Sequence, residues 1–413
     1  MDDISTAAAS MPDPAQLQAA GQPFSALLGM ATLMRQAFLG QNLGPLGAVL
    51  LKRIEANPDD ANALLDCSTI LLLMGDTALG LAMQARAIAL QASYLLPGPG
   101  ESARLKLMVI MGPGALMWNT PVEFLTEHSD VQVELLYLTS HANWPLDISD
   151  HDVLLVGVAE SEENKPLLAR LAQFLAAWPR PVINPPERIA ALTREQVSLA
   201  LQGMPGVAIP PTVKVDRAAL LASENVAPAG QAYPVIVRPV DSHAGKNLDK
   251  MASRDDIVAY LDRVGGELFY ISRFVDYRSA DGLYRKYRIA LIDGRPYLSH
   301  LAISGHWMIH YLNAGMRDSA EKRAEEADCM AGFDTGFAQR HGNALLAISQ
   351  RLGLPYLQLD CAETLAGELL IFEAGTAMVI HNMDEVSLFP YKRAAMQKLF
   401  AAFRQLLEDT RAA

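Results

Sequence analysis

The run Leu96-Pro97-Gly98-Pro99-Gly100 most constrains what this chain can become. Two prolines and two glycines in four positions admit neither a continuing helix nor a central strand. The run reads as a linker, and the pattern differs on its two sides. Residues 24–95 read as helices with short breaks. After the linker, short apolar runs alternate with helical segments. Leu105–Met111, Val131–Leu138, His151–Val158 and Pro181–Asn184 are strand candidates, with a helix over 165–178. That alternation predicts a parallel sheet covered on both faces. From about residue 205 the pattern changes again. Pro234–Val240, Leu268–Val275, Tyr284–Ile292, Pro296–Ile303, Tyr356–Asp360 and Leu369–Glu373 are strand candidates. Helices are expected over 253–264, 320–352 and 391–412. Asp293-Gly294 favours a tight hairpin. Antiparallel strands with segregated helices make this half α+β.

Asn57–Leu90 is the most patterned helical stretch. It opens on Asn-Pro-Asp-Asp, with proline in a first helical turn, and breaks at Gly75-Asp76. Its length and small residues resemble one tetratricopeptide repeat, a unit that needs stacked neighbours. An ordinary helical hairpin is the alternative. Residues 1–22 are expected to fray.

Apolar residues are 51% of the chain and charged ones 19%, so disorder as the main state is excluded. With 34 Lys+Arg against 46 Asp+Glu, a sequence-independent grip on nucleic acid is not expected. Three distant cysteines, Cys67, Cys329 and Cys361, build neither a disulfide scaffold nor a zinc site. The first residues lack the basic start of a secretory leader, and no apolar run reaches the length of a membrane span. The expected place is the cytoplasm.

Five pieces carry chemistry. In Tyr233–Leu248 a strand delivers Arg238 to a loop with His243, Gly245 and Lys246, suited to phosphates. A plain hairpin turn is the alternative. In Leu268–Asp276 an apolar strand leads to Ser272, Arg273 and Phe274, whose backbone can read a purine edge. In Asp281–Pro296, Arg285 falls on the face opposite Lys286 and Arg288, because side chains alternate. Ser299–Met316 concentrates His300, His306, His310 and Asn313 among apolar residues, as in a substrate or phosphate pocket. His306 and His310 share a zinc-protease spacing, but Trp307 stands where the catalytic Glu belongs. In Leu354–Glu385, Asp360 and Glu373 end adjacent strand candidates. Magnesium between them would relieve their repulsion. Gly112-Pro113-Gly114 lacks the spacing of a dinucleotide loop.

Together these pieces resemble the ATP-grasp superfamily over about residues 101–413. The resemblance implies an all-α N-terminal domain over 1–100, a small Rossmann-like α/β domain over 101–190, and an α+β ATP-grasp domain over 191–413. It implies a ligase using ATP and Mg2+. In such a ligase the enzyme would phosphorylate a carboxylate, and an amine or thiol would attack the acyl phosphate. Arg194 and Arg238 then stand where the family has phosphate-binding lysines. Ser272–Phe274 map to the adenine hinge. Arg288 faces the γ-phosphate, with His310 and Asn313 beside it in catalysis. Arg285, His300 and His306 are expected to meet substrate, and Asp360 and Glu373 to hold the metal. The family's Asn two residues beyond the metal-binding Glu is here Gly375. Asn382, Asp384 or water are the candidates to replace it. Two other readings stay open: a nucleotide-binding regulator without catalysis, and a small-molecule kinase on the same fold. The helical N-terminus is expected to form a homodimer or to dock a peptide or carrier.

Overall fold

The computed structural model describes residues 26–144, 148–222, 232–242 and 245–412. The fraying expected of residues 1–22 and the loop position His243 lie outside the described residues.

Four helices come first: α1 (Met30–Phe38), α2 (Gly44–Ala56), α3 (Ala61–Leu73) and α4 (Thr77–Leu90). The last two form the hairpin expected from the pattern, in close approach at Gly80. A Cβ there would sit 2.9 Å from Leu72. The helix start differs from the expectation. Asp60 is the N-cap, accepting from the Ala63 N–H at 2.9 Å, so Pro58 lies outside the helix.

A first sheet holds β1 (Ser93–Leu95), β2 (Leu105–Met111), β3 (Val131–Tyr137), β4 (Val153–Val156) and β5 (Val182–Ile183), in the order β1-β3-β2-β4-β5. Its last four strands are parallel, and β1 is an antiparallel edge. The short α5 (Val122–Leu125) and the amphipathic α6 (Lys165–Leu175) belong to this part. The Pro-Gly run therefore joins elements that share a sheet and does not separate independent bodies. One buried cluster confirms this: Leu33 and Leu64 of the helices, Leu107 and Val109 of β2, and Leu399 and Phe403 near the chain end.

Next come α7 (Pro186–Ala190), α8 (Arg194–Leu201) and β6 (Val207–Ala208), then a second sheet. Its strands β7 (Thr212–Asp216), β8 (Val235–Pro239), β9 (Asp249–Met251) and β10 (Leu268–Arg273) run antiparallel in the order β7-β10-β8-β9. Helices α9 (Arg217–Ala222) and α10 (Arg254–Arg263) contribute to a small core of its own, with Leu220, Val237, Ile257 and Phe269 buried together.

The third sheet is β12-β11-β13-β14-β6, built from β11 (Tyr284–Ile292), β12 (Arg295–Ser304), β13 (Tyr356–Glu363) and β14 (Leu369–Gly375). Only the β6–β14 pair is parallel. Asp293 and Gly294 both have positive φ, 48° and 73°, the two-residue turn their sequence favours. The single helix expected over 320–352 is three: α11 (Ala320–Ala331), α12 (Phe337–Arg340) and α13 (Gly342–Leu352). The chain breaks at Gly332, which caps α11, and resumes after Gly336. Helix α14 (Lys392–Ala412) closes the chain. No helix among the described residues is long and apolar enough to cross a membrane.

Candidate active site

Four strands of the third sheet lay one row of polar residues side by side. His300 on β12 is opposite Arg288 on β11, Arg288 is opposite Asp360 on β13, and Asp360 is opposite Glu373 on β14. Directly opposed residues share a sheet face, so the four belong to one surface. Register shifts flank the row. The β11–β12 ladder skips Ser299, and the β13–β14 ladder skips Phe372. Such bulges re-aim neighbouring side chains. Ser299 and Phe372 duly line the same cleft as His300 and Glu373. That cleft, about 560 Å3, lies between the second and third sheets, with Ile236, Arg238, Tyr270 and Ser272 on the opposing wall.

Charges inside the cleft are strongly coupled. Asp360 is 4% exposed. Its carboxylate accepts from Arg288 Nε at 2.8 Å, Arg288 Nη2 at 3.0 Å and Lys286 Nζ at 2.9 Å. Burial opposes the anion, but Arg288 and Lys286 overcome that and hold Asp360 well below the usual carboxylate range. Glu373 pairs with Arg194 at 2.7 Å, and Arg194 Nη1 also donates to the Phe372 carbonyl at 3.0 Å. Burial again opposes, and Arg194 and Arg238 draw the Glu373 pKa down. Arg238, 7% exposed, donates through Nε to Ser242 Oγ at 3.0 Å and through Nη2 to the Ser242 carbonyl. Burial and the neighbouring Arg194 charge push its pKa down to about 9. His300 and His310 are both shifted down, first by burial, then by Arg288 for His300 and by Lys286 and Arg288 for His310. Both imidazoles are neutral near pH 7.

Of the residues singled out from sequence, the cleft gathers Arg194, Arg238, Gly245, Ser272, Arg273, Phe274, Arg288, His300, His310, Asp360, Glu373 and Asp384. Five others lie outside its lining, among them Asn382, whose carbonyl accepts from Arg35. Arg285 sits on the opposite strand face, as alternation demands, in ion pairs with Asp281 and Glu325. His306 is exposed and contacts Met308. Asn313 is exposed, and its Oδ1 accepts the His310 N–H at 2.9 Å. Lys246 is exposed outside the cleft lining. At the expected hinge, Ser272 lies on a central strand between Thr212 and Ile236, Arg273 pairs with Val235 on the β8 side, and the Phe274 N–H donates to the Pro234 carbonyl at 2.9 Å. The β7 register ends at Ser272, so Arg273 and Phe274 stand where the strand leaves the sheet, lining the cleft. Lys286 was within reach of sequence reasoning, since it shares strand parity with Arg288. Lys250, 4.4 Å from the Phe274 ring, and the buried Lys392 gave no sequence signal.

The donor set does not make a resident metal site. Both Asp360 oxygens are taken by cations, one Glu373 oxygen is taken by Arg194, and Gly375 offers no side-chain oxygen. Among the described residues no three His, Cys, Asp or Glu side chains group to hold a metal.

No family model and no curated protein matches this chain. Similar solved structures include the D-alanine–D-alanine ligase of Bacillus anthracis, at 13% identity and TM-score 0.45. It is aligned over 75% of this chain and 97% of its own. A RimK domain ATP-grasp protein of Sphaerobacter thermophilus is 17% identical, with TM-score 0.42 over 72% and 98%. The VanG D-Ala:D-Ser ligase of Enterococcus faecalis is 12% identical, with TM-score 0.45 over 73% and 99%. Likeness at this level says nothing of what the chain does, which has to be read from the cleft.

Proposed function

We propose that this chain is an ATP-dependent ligase joining a carboxylate to an amine or thiol. The observation that carries the reading is the polar row His300–Arg288–Asp360–Glu373 facing a cleft into which Arg194, Arg238 and Lys286 also converge. Positioned cations stabilise charge where it grows on a transferring phosphoryl group. In this reading Tyr270, Phe274 and Phe372 take the purine. Arg194, Arg238 and Lys286 meet the phosphates, and Arg288 guides the substrate carboxylate. A carboxylate oxygen forms a bond to the γ-phosphorus as the bond to ADP breaks. The amine then attacks the acyl carbon, phosphate leaves with the C–O electron pair, and the amine proton passes to neutral His310. Magnesium, expected at Asp360 and Glu373, enters with the nucleotide or not at all, and no step here depends on it.

A thermal-shift titration with ATP, with and without magnesium, is the first test. A ligand at a hundredfold excess over its dissociation constant adds about 2.7 kcal/mol. No shift at millimolar nucleotide refutes the proposal. Where a shift is seen, Glu373→Ala should abolish magnesium-dependent ADP release with carboxylate–amine pairs while leaving the fold intact. Unchanged turnover removes Glu373 from the site. A second reading, a nucleotide-binding regulator without catalysis, is favoured by Gly375 and the saturated Asp360. ATP binding without ADP release for any substrate pair selects it.

A further inference from the structure

Beyond Arg288 the cleft changes character. Arg288 Nη1 donates to the Val379 carbonyl at 3.3 Å, in the segment that follows β14. That segment crosses to α1, where Arg35 Nη1 donates to the Asn382 carbonyl at 2.8 Å and the Phe38 ring lies 5.1 Å from the His381 ring. Met34, Ala37 and Phe38 stand at i, i+3 and i+4 on one face of α1, and all three line the cleft, together with Met117, Met378 and Met383. Methionine is unbranched and polarizable, and such walls adapt to apolar ligands of varied shape.

Few polar groups interrupt this surface. His300 is 8% exposed, and its Nε2 is buried without a hydrogen-bond partner. A buried, unpartnered ring nitrogen lining a cleft is unsatisfied until something binds. His381 Nδ1 accepts the Met383 N–H at 3.1 Å, which leaves the ring proton on Nε2. Lys392 is neutralised within the protein by Asp384 at 3.0 Å and Glu326 at 3.6 Å, so it does not demand an anion. An apolar pocket with a few convergent polar groups suits an amphipathic small molecule.

We propose that this end of the cleft is the subsite for an aliphatic or aryl group on the carboxylate substrate. The carboxylate lies toward Arg288 and His300, and the apolar group packs against Met34, Ala37 and Phe38. The inference rests on the ligase reading and adds to it the class of acid: a small carboxylic acid with an apolar side chain, in preference to a dicarboxylic acid or a bare short acid. Helix α1, outside the two sheets that clasp the nucleotide, thereby sets specificity.

The test is a calorimetric titration of the full chain with acetate, hexanoate, 3-phenylpropionate and succinate. It is run with and without a non-hydrolysable ATP analogue, on the parent protein, Ala37→Phe and Met34→Glu. Nucleotide binding by each variant reports that it is folded, and circular dichroism does so if nucleotide does not bind. Hexanoate and 3-phenylpropionate should bind at least tenfold tighter than acetate or succinate. Either variant should raise the hexanoate dissociation constant at least tenfold. Equal affinities for all four acids, tightest binding of succinate, or hexanoate binding unmoved in both folded variants overturns the inference. In each of those cases nucleotide binding leaves the ligase reading standing. Absence of nucleotide binding defeats the ligase reading separately. Hexanoate binding that Ala37→Phe removes would then still establish the apolar subsite.

Discussion

Asp360→Asn separates two roles that one carboxylate could have in this cleft. The Asp360 side chain is 6% exposed, and its oxygens hold two cations, Arg288 at 2.8 Å and Lys286 at 2.9 Å. Removing one partner of a buried pair costs about 3–5 kcal/mol, because the other charge is left uncompensated. Here the stranded side chains are 17% and 12% exposed, and Glu373 stays on the neighbouring strand. Both facts soften the loss, so about 3 kcal/mol is expected, read as a lower urea midpoint. The nucleotide response then decides the role. If Asp360 occupies Arg288 and Lys286 until phosphates arrive, the variant has two unclaimed cations. ATP without magnesium should then stabilise it more than it stabilises the parent. A tenfold gain in affinity corresponds to about 1.4 kcal/mol. If Asp360 is chiefly a metal ligand, the metal-free response stays the same and the magnesium-dependent part shrinks. A stability loss under about 1 kcal/mol, or a weaker metal-free response than the parent's, refutes the reasoning.

Two further predictions concern stability. Asp66 accepts the N–H groups of Leu28 and Gly29, and Glu123 those of Met30 and Ala31, so two acids clip the start of α1. Burial raises both pKa values to about 7, against the backbone hydrogen bonds that lower them. The folded state thus keeps protons that the unfolded chain has lost. Their contribution to stability is fully present below the unfolded pKa, near 4, and is lost as pH rises toward 7. Histidines such as His300 and His381, whose pKa values burial lowers, act in the opposite sense over the same window, so the Asp66 effect is read as the difference between parent and variant. Asp66→Asn should remove a fall in stability on the order of 4 kcal/mol between about pH 4 and 7. A parent-minus-variant stability that is flat or rises over that window contradicts this. Lys392→Met leaves Asp384 and the fully buried Glu326 without their cation, though Leu301 N–H, Tyr311 and Tyr391 still donate to Glu326. A loss of about 3 kcal/mol is expected from denaturant unfolding, and adding Glu326→Gln should recover part of it. A larger loss in the double variant refutes a charge-based origin.

Where local pattern decides conformation, the sequence was legible. Alternation placed Lys286 and Arg288 on one strand face and Arg285 on the other, and Asp293-Gly294 specified its turn. Asp360 and Glu373 were found because each ends an apolar run, and two apolar runs around a glycine turn pair as a hairpin. What alternation could not supply was register. The bulges at Ser299 and Phe372 depend on the partner strand, and they bring His300 and Glu373 into line with Arg288 and Asp360. The same limit applies at the expected hinge. Leu268–Asp276 looks like any apolar strand, and only the pairing of β10 with both β7 and β8 shows that it is central. Asn313 and His306 followed from density of polar residues, a signal that says nothing of direction. The wall supplied by α1 was beyond reach, since nothing local tells a helix near residue 34 that it will face residue 381.

The charge balance of the cleft points to what it is built to receive. The whole chain carries a net charge of −12, yet among the described residues the cleft is lined by the cations Arg194, Arg238, Arg273, Lys286, Arg288 and Lys392 against the anions Asp360, Glu373 and Asp384. Six cations less three anions leave a surplus of three positive charges where burial penalises charge. Burial first, and then the Arg194 charge, draw the Arg238 pKa down, and its guanidinium is hydrogen-bonded to Ser242. A polyanion entering the cleft would relieve the repulsion. It would also bridge Arg238 on the second sheet to Arg194, Lys286 and Arg288 beside the third. The same ionic contacts would then hold a ligand to both walls of the cleft. The apolar end against α1 lacks that surplus, and so selects its occupant by shape and hydrophobicity.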